Sequence, residues 1–261
     1  MSLTEAGLLG LVVVAAYVTA VWPLSLILRS ASIIDIFWGP GFLLAAAVYA
    51  FASPDGFSGR QALVTVLVAA WASRLGGYIL LRNAGHGEDF RYQKMRESAG
   101  EAFWWRSLLT VFLLQGALLW IISAPLLAAV RSEEPGSLAV TDYAGAAVWA
   151  IGFGFEAIGD WQLTRFKREP ANKGKVMDHG LWRYTRHPNY FGESVLWWGY
   201  FIIAAGTDWG WATVFSPALM TFLLLRVSGV AMLERGMTKR RPGYEEYIRR
   251  TSAFVPWRPR G

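Results

Sequence analysis

The sequence predicts an all-α integral membrane protein, one bundle of about seven transmembrane helices with the N-terminus outside and the C-terminus in the cytoplasm. Three observations predict it. Hydrophobic residues make up 54% of the 261 residues and charged residues only 17%, against roughly 25% charge in soluble domains. The apolar residues gather in runs long enough to cross a bilayer, which takes about 20 residues of helix. Lys and Arg concentrate in alternate connections between those runs, as the positive-inside rule expects.

The runs fall at about 7–29, 32–52, 61–83, 104–130, 141–166, 190–206 and 209–233, the sixth being the shortest. With the N-terminus outside, the 1–2, 3–4 and 5–6 connections and the C-terminal tail face the cytoplasm. All but four of the 25 basic residues then lie in or beside cytoplasmic segments. Arg60 and Arg131 fall outside, and Arg74 and Arg226 fall within helices. This asymmetry gives the orientation and favours an odd helix number. The N-terminus has no basic segment and no small-residue cleavage site, so the first run reads as a retained helix. A bacterial inner membrane is the expected location and a monomer the expected state. The net charge of +6 is spread over short loops, so no nucleic-acid partner is expected. The tail, Glu234–Gly261, is too polar to span. Arg241-Pro242-Gly243 marks a turn, and Tyr244–Arg250 reads as a short interfacial helix.

Cysteine is absent, which excludes disulfides, thiolate nucleophiles and cysteine metal sites. His86, His179 and His187 are scattered, so no metal site is expected.

Ionisable residues at membrane depth are costly and usually face an interior cavity. Asp35 lies near the start of the second helix with Trp38 one turn on. Trp71, Arg74, Tyr78 and Arg82 share one face of the third. Glu156, Asp160, Thr164 and Arg168 repeat every four residues on the fifth, and Arg226 lies within the seventh. Two readings follow. Such groups form ion pairs that fix helix packing, Asp35 with Arg74 for example, or they line a polar chamber that holds a ligand.

Asp160–Glu193 combines Arg165, Lys167, Arg168, Lys173, Lys175, Arg183, Arg186 and His187 with Trp182, Tyr184 and Tyr190. Asn189 and Glu193 open the sixth helix. This mixture suits a dinucleotide. Arginines clamp phosphates through bidentate charge-assisted bonds, aromatic rings flank a base or nicotinamide, and Asn189, Glu193 and Asp160 suit ribose hydroxyls or a carboxamide. A positive-inside loop with interfacial aromatics explains the charge equally well, but explains the acidic and amide residues less well. No Rossmann fingerprint is present. Gly152-Phe153-Gly154 lies inside an apolar helix and reads as helix packing.

The stretch His179-Gly180-Leu181-Trp182-Arg183-Tyr184-Thr185-Arg186-His187-Pro188-Asn189-Tyr190-Phe191-Gly192-Glu193 resembles the cofactor signature of the steroid 5α-reductase family, especially its bacterial branch, formerly a domain of unknown function. Arg241–Tyr247, Thr251–Trp257, Trp71, Arg74-Leu75, Arg82 and Gly87–Tyr92 extend the resemblance from about residue 32 onward. It implies a seven-helix reductase that uses NADPH. Residues 1–130 would form the substrate side and 140–261 the cofactor side, as one membrane domain. Asp160, Asn189, Glu193 and Arg226 match cofactor-contacting positions, and Lys167 and Arg168 are candidates for the phosphates. Arg165, Arg183, Tyr184, Arg186, His187, Tyr190, Arg82, Arg91 and Tyr244 complete the candidate cofactor set. Asp35 aligns with a glutamate that binds the substrate carbonyl. The family's glutamine beside that glutamate has no counterpart here, and its tyrosine on the third helix aligns with Trp71.

The expected reaction is NADPH-dependent reduction of a carbon–carbon double bond conjugated to a ketone, in a 3-oxo-Δ4 steroid or similar lipid. Asp35, kept protonated by burial, would donate to the carbonyl oxygen. Tyr78 would share that role, with Trp38 and Trp71 packing on the rings. The signature is shared with membrane methyltransferases such as isoprenylcysteine carboxyl methyltransferase, so S-adenosylmethionine-dependent methylation of a lipid or prenylated substrate is the alternative. A transporter is a third reading, without the inverted repeat that fold class shows.

Overall fold

The computed structural model describes residues 1–85, 87–227, 229–234 and 237–260, with only the backbone described at Ala231, Lys239 and Arg240. His86 and parts of the tail therefore lie outside the described residues. The described chain is helical throughout, in the order α1 Leu3–Ile27, α2 Ile33–Phe51, α3 Ser58–Asn83, α4 Phe90–Ile122, α5 Ala124–Arg131, α6 Val140–Arg168, α7 Pro188–Ala205, α8 Gly210–Glu234 and α9 Tyr244–Arg250.

Five of these, α1, α2, α3, α4 and α8, are long and apolar enough to cross a membrane. The fifth and sixth expected runs form helices α6 and α7. By length and composition α6 and α7 do not qualify as spans, because the less basic part of α6 carries Asp142, Glu156 and several glycines and α7 has 18 residues beginning at a polar segment. The fourth expected run begins earlier than its hydropathy suggests. Asp89 caps α4 by accepting from the Arg91 N–H at 2.9 Å, which starts the helix at Phe90.

The chain divides into two compact units, Met1–Ala139 with Ala204–Thr213, and Val140–Ile203 with Val214–Gly261. In the first unit, α2 and α3 approach backbone to backbone. A Cβ on Gly39 would stand 2.9 Å from the Ala72 Cα. Aromatic donors tie neighbouring segments together. Trp120 donates to the Gly7 carbonyl at 2.8 Å, Tyr17 to the Phe37 carbonyl at 2.9 Å, and Tyr49 pairs with the Ser123 hydroxyl at 2.7 Å. With no water in hydrocarbon, such groups must find partners within the protein. Arg60, expected in an external loop, is buried to 1% exposure. Its guanidinium donates to the Pro135 carbonyl at 3.1 Å and the Glu134 carbonyl at 3.4 Å, closing the segment after α5. Leu8, Val12, Ile27, Phe51, Val66 and Leu81 are exposed, giving these helices an apolar outer surface.

In the second unit, α6 and α7 pack antiparallel through glycines. Gly145, Gly152 and Gly159 recur every seven residues on α6, and Gly192 and Gly199 do the same on α7. A Cβ on Gly152 would lie 2.4 Å from the Leu196 nitrogen. One on Gly192 would lie 2.5 Å from the Glu156 nitrogen, and one on Gly199 would lie 2.6 Å from the Trp149 nitrogen. All these neighbours are backbone, so neither helix can give way. Close glycine contacts of this kind hold helices together where the hydrophobic effect does not.

Overpacking a tight interface costs about 1–3 kcal/mol, and more where backbone must move. Gly152→Val and Gly192→Val should therefore lower the melting temperature of detergent-purified protein sharply or abolish its monodisperse elution. Gly77→Ala, whose Cβ would meet nothing within 4 Å, should leave both unchanged.

Candidate active site

The glycine contacts of the second unit set up a buried polar cluster. Because Gly192 seats against the Glu156 backbone, Glu193 follows directly on α7, and Asp160 comes one turn after Glu156 on α6. Glu156, Asp160 and Glu193 are 2%, 4% and 8% exposed. Asn189 donates from Nδ2 to the Asp160 Oδ1 at 3.1 Å, while its Oδ1 accepts the Tyr190 N–H at 3.1 Å. The structure thus brings together Asp160, Asn189 and Glu193, and adds Glu156, in one buried array of oxygen acceptors and an amide. Such an array suits hydroxyl and carboxamide groups.

The cations divide into two groups. Arg165, Lys167, Arg168 and Arg183 are exposed, as is Tyr184, and Arg165 lies over the Trp161 ring at 5.7 Å. Arg186 and His187 are buried and engaged by protein. Arg186 donates from Nε and Nη2 to the two Glu234 oxygens at 2.7 and 3.0 Å, and from Nη1 to the carbonyls of Ile248 and Thr251. Four of the five guanidinium N–H groups are occupied in this way. His187 Nε2 lies 3.0 Å from Glu234 Oε1, and its ring stacks on Tyr190 with centroids 5.7 Å apart. Arg186 and His187, both expected in the cofactor set, are here engaged by Glu234 and anchor the tail to the end of α8. Residue spacing carries no sign of this, since Glu234 lies 48 residues from Arg186.

The tail is pinned along the same segment. Arg186 donates its N–H to the Ser252 carbonyl at 2.9 Å, Trp257 to the Tyr184 carbonyl at 2.9 Å, and the Thr185 hydroxyl to the Phe254 carbonyl at 2.7 Å. Tyr244, expected at a cofactor, is 4% exposed and packs edge-on to Tyr247, whose hydroxyl donates to the Trp182 carbonyl. Burial, with Glu234 nearby, pushes the Tyr244 phenol up to about 12, and burial raises Tyr247 as well. Trp182 itself donates to the Gly159 carbonyl at 3.1 Å. Gly180 has φ +62° and would drive a Cβ to 2.4 Å from the Gln162 side chain, so the signature needs glycine there. Arg226 is exposed in α8, contrary to the expectation that it faces an interior chamber.

In the first unit the surroundings of Asp35 differ from expectation. Its ion-pair partner is Arg91, with Nη2 to Oδ2 at 2.7 Å, in place of Arg74. Tyr92 donates to Asp35 Oδ1 at 2.6 Å and accepts from Gln115 Nε2 at 3.0 Å. Both Asp35 oxygens are therefore engaged by protein, one by a guanidinium and one by a phenol. Tyr78 stands beside Arg82, whose guanidinium lies 5.6 Å from its ring centroid, and Arg82 also donates to Asn83 at 3.3 Å. Trp38, Phe42 and Trp71 form an edge-to-face chain with centroids 5.2 and 5.6 Å apart, and Trp71 is fully buried.

The connection before α4 is built to place Arg91 and Tyr92. Glu88 accepts the Ala31 N–H at 2.6 Å and pairs with Arg96 at 2.9 Å. Asp89 holds Arg91 Nε at 2.9 Å. Burial alone would raise the Asp89 carboxyl, but its bonds to Arg91 outweigh that and hold it below its ordinary 3.8. Tyr92, Gln115, Glu88 and Glu234 are the residues that sequence reasoning missed. The Gly-Glu-Asp-Phe-Arg-Tyr string was the available signal for the first unit. Among the described residues no group of His, Asp and Glu is arranged to hold a metal ion.

The family described as Protein of unknown function (DUF1295) matches residues 21–251. An uncharacterized protein of Schizosaccharomyces pombe is 22% identical over 272 residues, covering 92% of this chain and 72% of that protein. Bovine 3-oxo-5-alpha-steroid 4-dehydrogenase 1 is 38% identical over 82 residues, covering 31% of this chain and 30% of the bovine protein. No solved structure matches.

Two outcomes are expected. Glu234→Gln should destabilise the protein by about 3–5 kcal/mol, since removing one partner leaves the buried Arg186 uncompensated; chemical or thermal unfolding in detergent measures it. The tyrosines give a pH limit. Raised phenol values mean that the folded tail favours the neutral form, so their contribution is fully present below pH 10 and is lost as pH rises towards 12. Tyrosinate absorbance should lag behind that of the unfolded chain, and the near-ultraviolet circular dichroism of the tail should collapse in that window.

Proposed function

The chain belongs to the DUF1295 family, and from that membership we propose that it is a membrane reductase that uses NADPH to reduce the C=C bond of an apolar enone, a 3-oxo-Δ4 steroid or similar lipid. The observation that carries the reaction class is the 38% identity to bovine 3-oxo-5-alpha-steroid 4-dehydrogenase 1 over 82 residues. The buried polar array of the second unit supports the cofactor. Asp160, Asn189 and Glu193 suit ribose hydroxyls and a carboxamide, and Tyr190 offers a ring beside them. Arg165, Lys167, Arg168 and Arg183 are exposed and suit the phosphates. NADPH, when bound, would supply a hydride to the β-carbon of the enone.

Charge develops on the carbonyl oxygen as the double bond is reduced, and a positioned cation stabilises it most in a dry site. Arg91 is the residue for this task. Asp35 and Asp89 hold its Nη2 and Nε, which leaves the Nη1 edge to meet an oxygen. Asp35 is then a positioning residue: it orients Arg91 and Tyr92 and keeps the cation from swinging into solvent. Trp38 and Trp71 provide flat apolar walls for a ring system. Protonation of the α-carbon completes the reduction, with water or the Tyr92 hydroxyl as the source. The cytoplasmic placement of the basic segments belongs to the same reading.

A donor of this kind is worth roughly 3–4 kcal/mol of barrier. Arg91→Gln and Asp35→Asn should therefore each lower kcat by about 100-fold or more while NADPH affinity stays within about twofold of wild type. Asp160→Ala should do the reverse and weaken NADPH. Calorimetric titration of the detergent-purified protein with NADPH and with S-adenosylmethionine tests the cofactor directly. Binding of S-adenosylmethionine in place of NADPH overturns the reductase and favours methyl transfer. Loss of NADPH binding in Arg91→Gln reassigns Arg91 to the cofactor.

A further inference from the structure

A cleft of about 310 Å³ on the second unit is lined by Arg186, Arg249, Arg250, Arg258, Arg260 and Trp257, with no carboxylate among its lining residues. Three of the five arginines are already paired. Glu234 holds Arg186, while Glu246 takes Arg249 and, at 3.5 Å, Arg250, which also lies 3.7 Å from Asp178. Arg258 and Arg260 differ. Among the described residues their side chains have no protein partner, and both are exposed. They are nonetheless not on a loose end. The Trp257 N–H donates to the Tyr184 carbonyl and the Arg260 N–H to the Arg250 carbonyl, both at 2.9 Å, so the backbone between is fastened at two points. The fold therefore holds two guanidinium groups with no partner among the described residues beside three paired ones, a concentration of positive charge that attracts an anion.

The position of the cleft says which anion. Arg186 is bonded to Glu234, the last residue of α8, a helix long and apolar enough to cross a membrane, so a bilayer spanned by that helix would bring its headgroup phosphates to the cleft. Beside the arginines, Trp257 is 73% exposed and Val255 58%. An exposed indole and an apolar residue flanking a basic cleft form the pattern of an interfacial anchor. Planar, bidentate guanidinium groups match a phosphodiester better than ammonium groups do.

We propose that this cleft binds the phosphate of an anionic glycerophospholipid, Arg258 and Arg260 clamping the headgroup while Trp257 enters the interface beside it. Arg258 and Arg260 have no part in the cofactor reading, so the proposal stands whether or not the reductase reading does. Each basic residue near an anionic surface contributes about 1 kcal/mol, so removing both should weaken binding about thirtyfold.

The test uses the full chain purified in a neutral detergent and titrated separately with short-chain phosphatidylglycerol, short-chain phosphatidylcholine and inorganic phosphate. Native mass spectrometry counts bound molecules and a thermal melt reports stabilisation. One phosphatidylglycerol should be retained and should raise the melting temperature, with phosphatidylcholine and phosphate weaker by tenfold or more. The double variant Arg258→Gln, Arg260→Gln should melt like wild type without lipid and lose phosphatidylglycerol about thirtyfold. The pair Arg165→Gln, Arg168→Gln should keep it. Equal binding of phosphatidylglycerol by the Arg258, Arg260 variant overturns the site. Saturation by inorganic phosphate at the same concentrations overturns the lipid assignment, and absence of all three ligands overturns both.

Discussion

Glu234 accepts from Arg186 Nε at 2.7 Å and faces His187 Nε2 at 3.0 Å, and much of the second unit hangs on that carboxylate. It closes α8, it neutralises the buried arginine at the head of α7, and through Arg186 it reaches the carbonyls of Ile248 and Thr251 at the end of α9. A charge withdrawn from water is tolerated only when its hydrogen-bonding groups are matched. Here one carboxylate serves an arginine and a histidine and so fixes three chain segments at once. The tail then lies along Tyr184–Arg186, and the same constraint leaves Arg258 and Arg260 presented together on its outer side.

The first unit solves a similar problem with different parts. Asp35 near the start of α2 would be a liability alone. The connection before α4 brings Arg91 and Tyr92 to it, and Glu88 secures that connection to the Ala31 N–H. The result is a hydrogen-bonded set running from Asp89 through Arg91, Asp35 and Tyr92 to Gln115. Such a network is rigid when each member is matched.

The helices were legible because their cause is local. Apolar runs and basic connections can be read along the chain, whereas the aspartate that caps α4 was not legible, and that helix starts earlier than expected. The packing of Gly152 against α7 was legible as helix packing, since a glycine in an apolar helix interior has few other uses. What could not be read was pairing across distance. Asp35 and Arg91 are 56 residues apart, and periodicity on α2 and α3 pointed to Arg74 instead. Arg186 looked like its neighbours Arg183 and Arg165 because a charge count does not distinguish a buried guanidinium from an exposed one. The acidic and amide residues Asp160, Asn189 and Glu193 were found because two helix ends carried them in register. Their fourth member, Glu156, was noted on the same stripe, but its place in the cluster depends on Gly192.

The sevenfold recurrence of glycine on α6 and α7 has a consequence for how these two helices tolerate change. A seven-residue repeat advances two turns at 3.5 residues each and so keeps a contact line nearly parallel to the helix axis. Deleting one residue between Gly152 and Gly159 would turn everything beyond it by about 100°, swinging Asp160 off Asn189 and setting side chains where bare backbone now meets bare backbone. Length variation should therefore gather in the connection between the two helices, and the pair should shift, when the protein moves at all, as a single stiff ribbon.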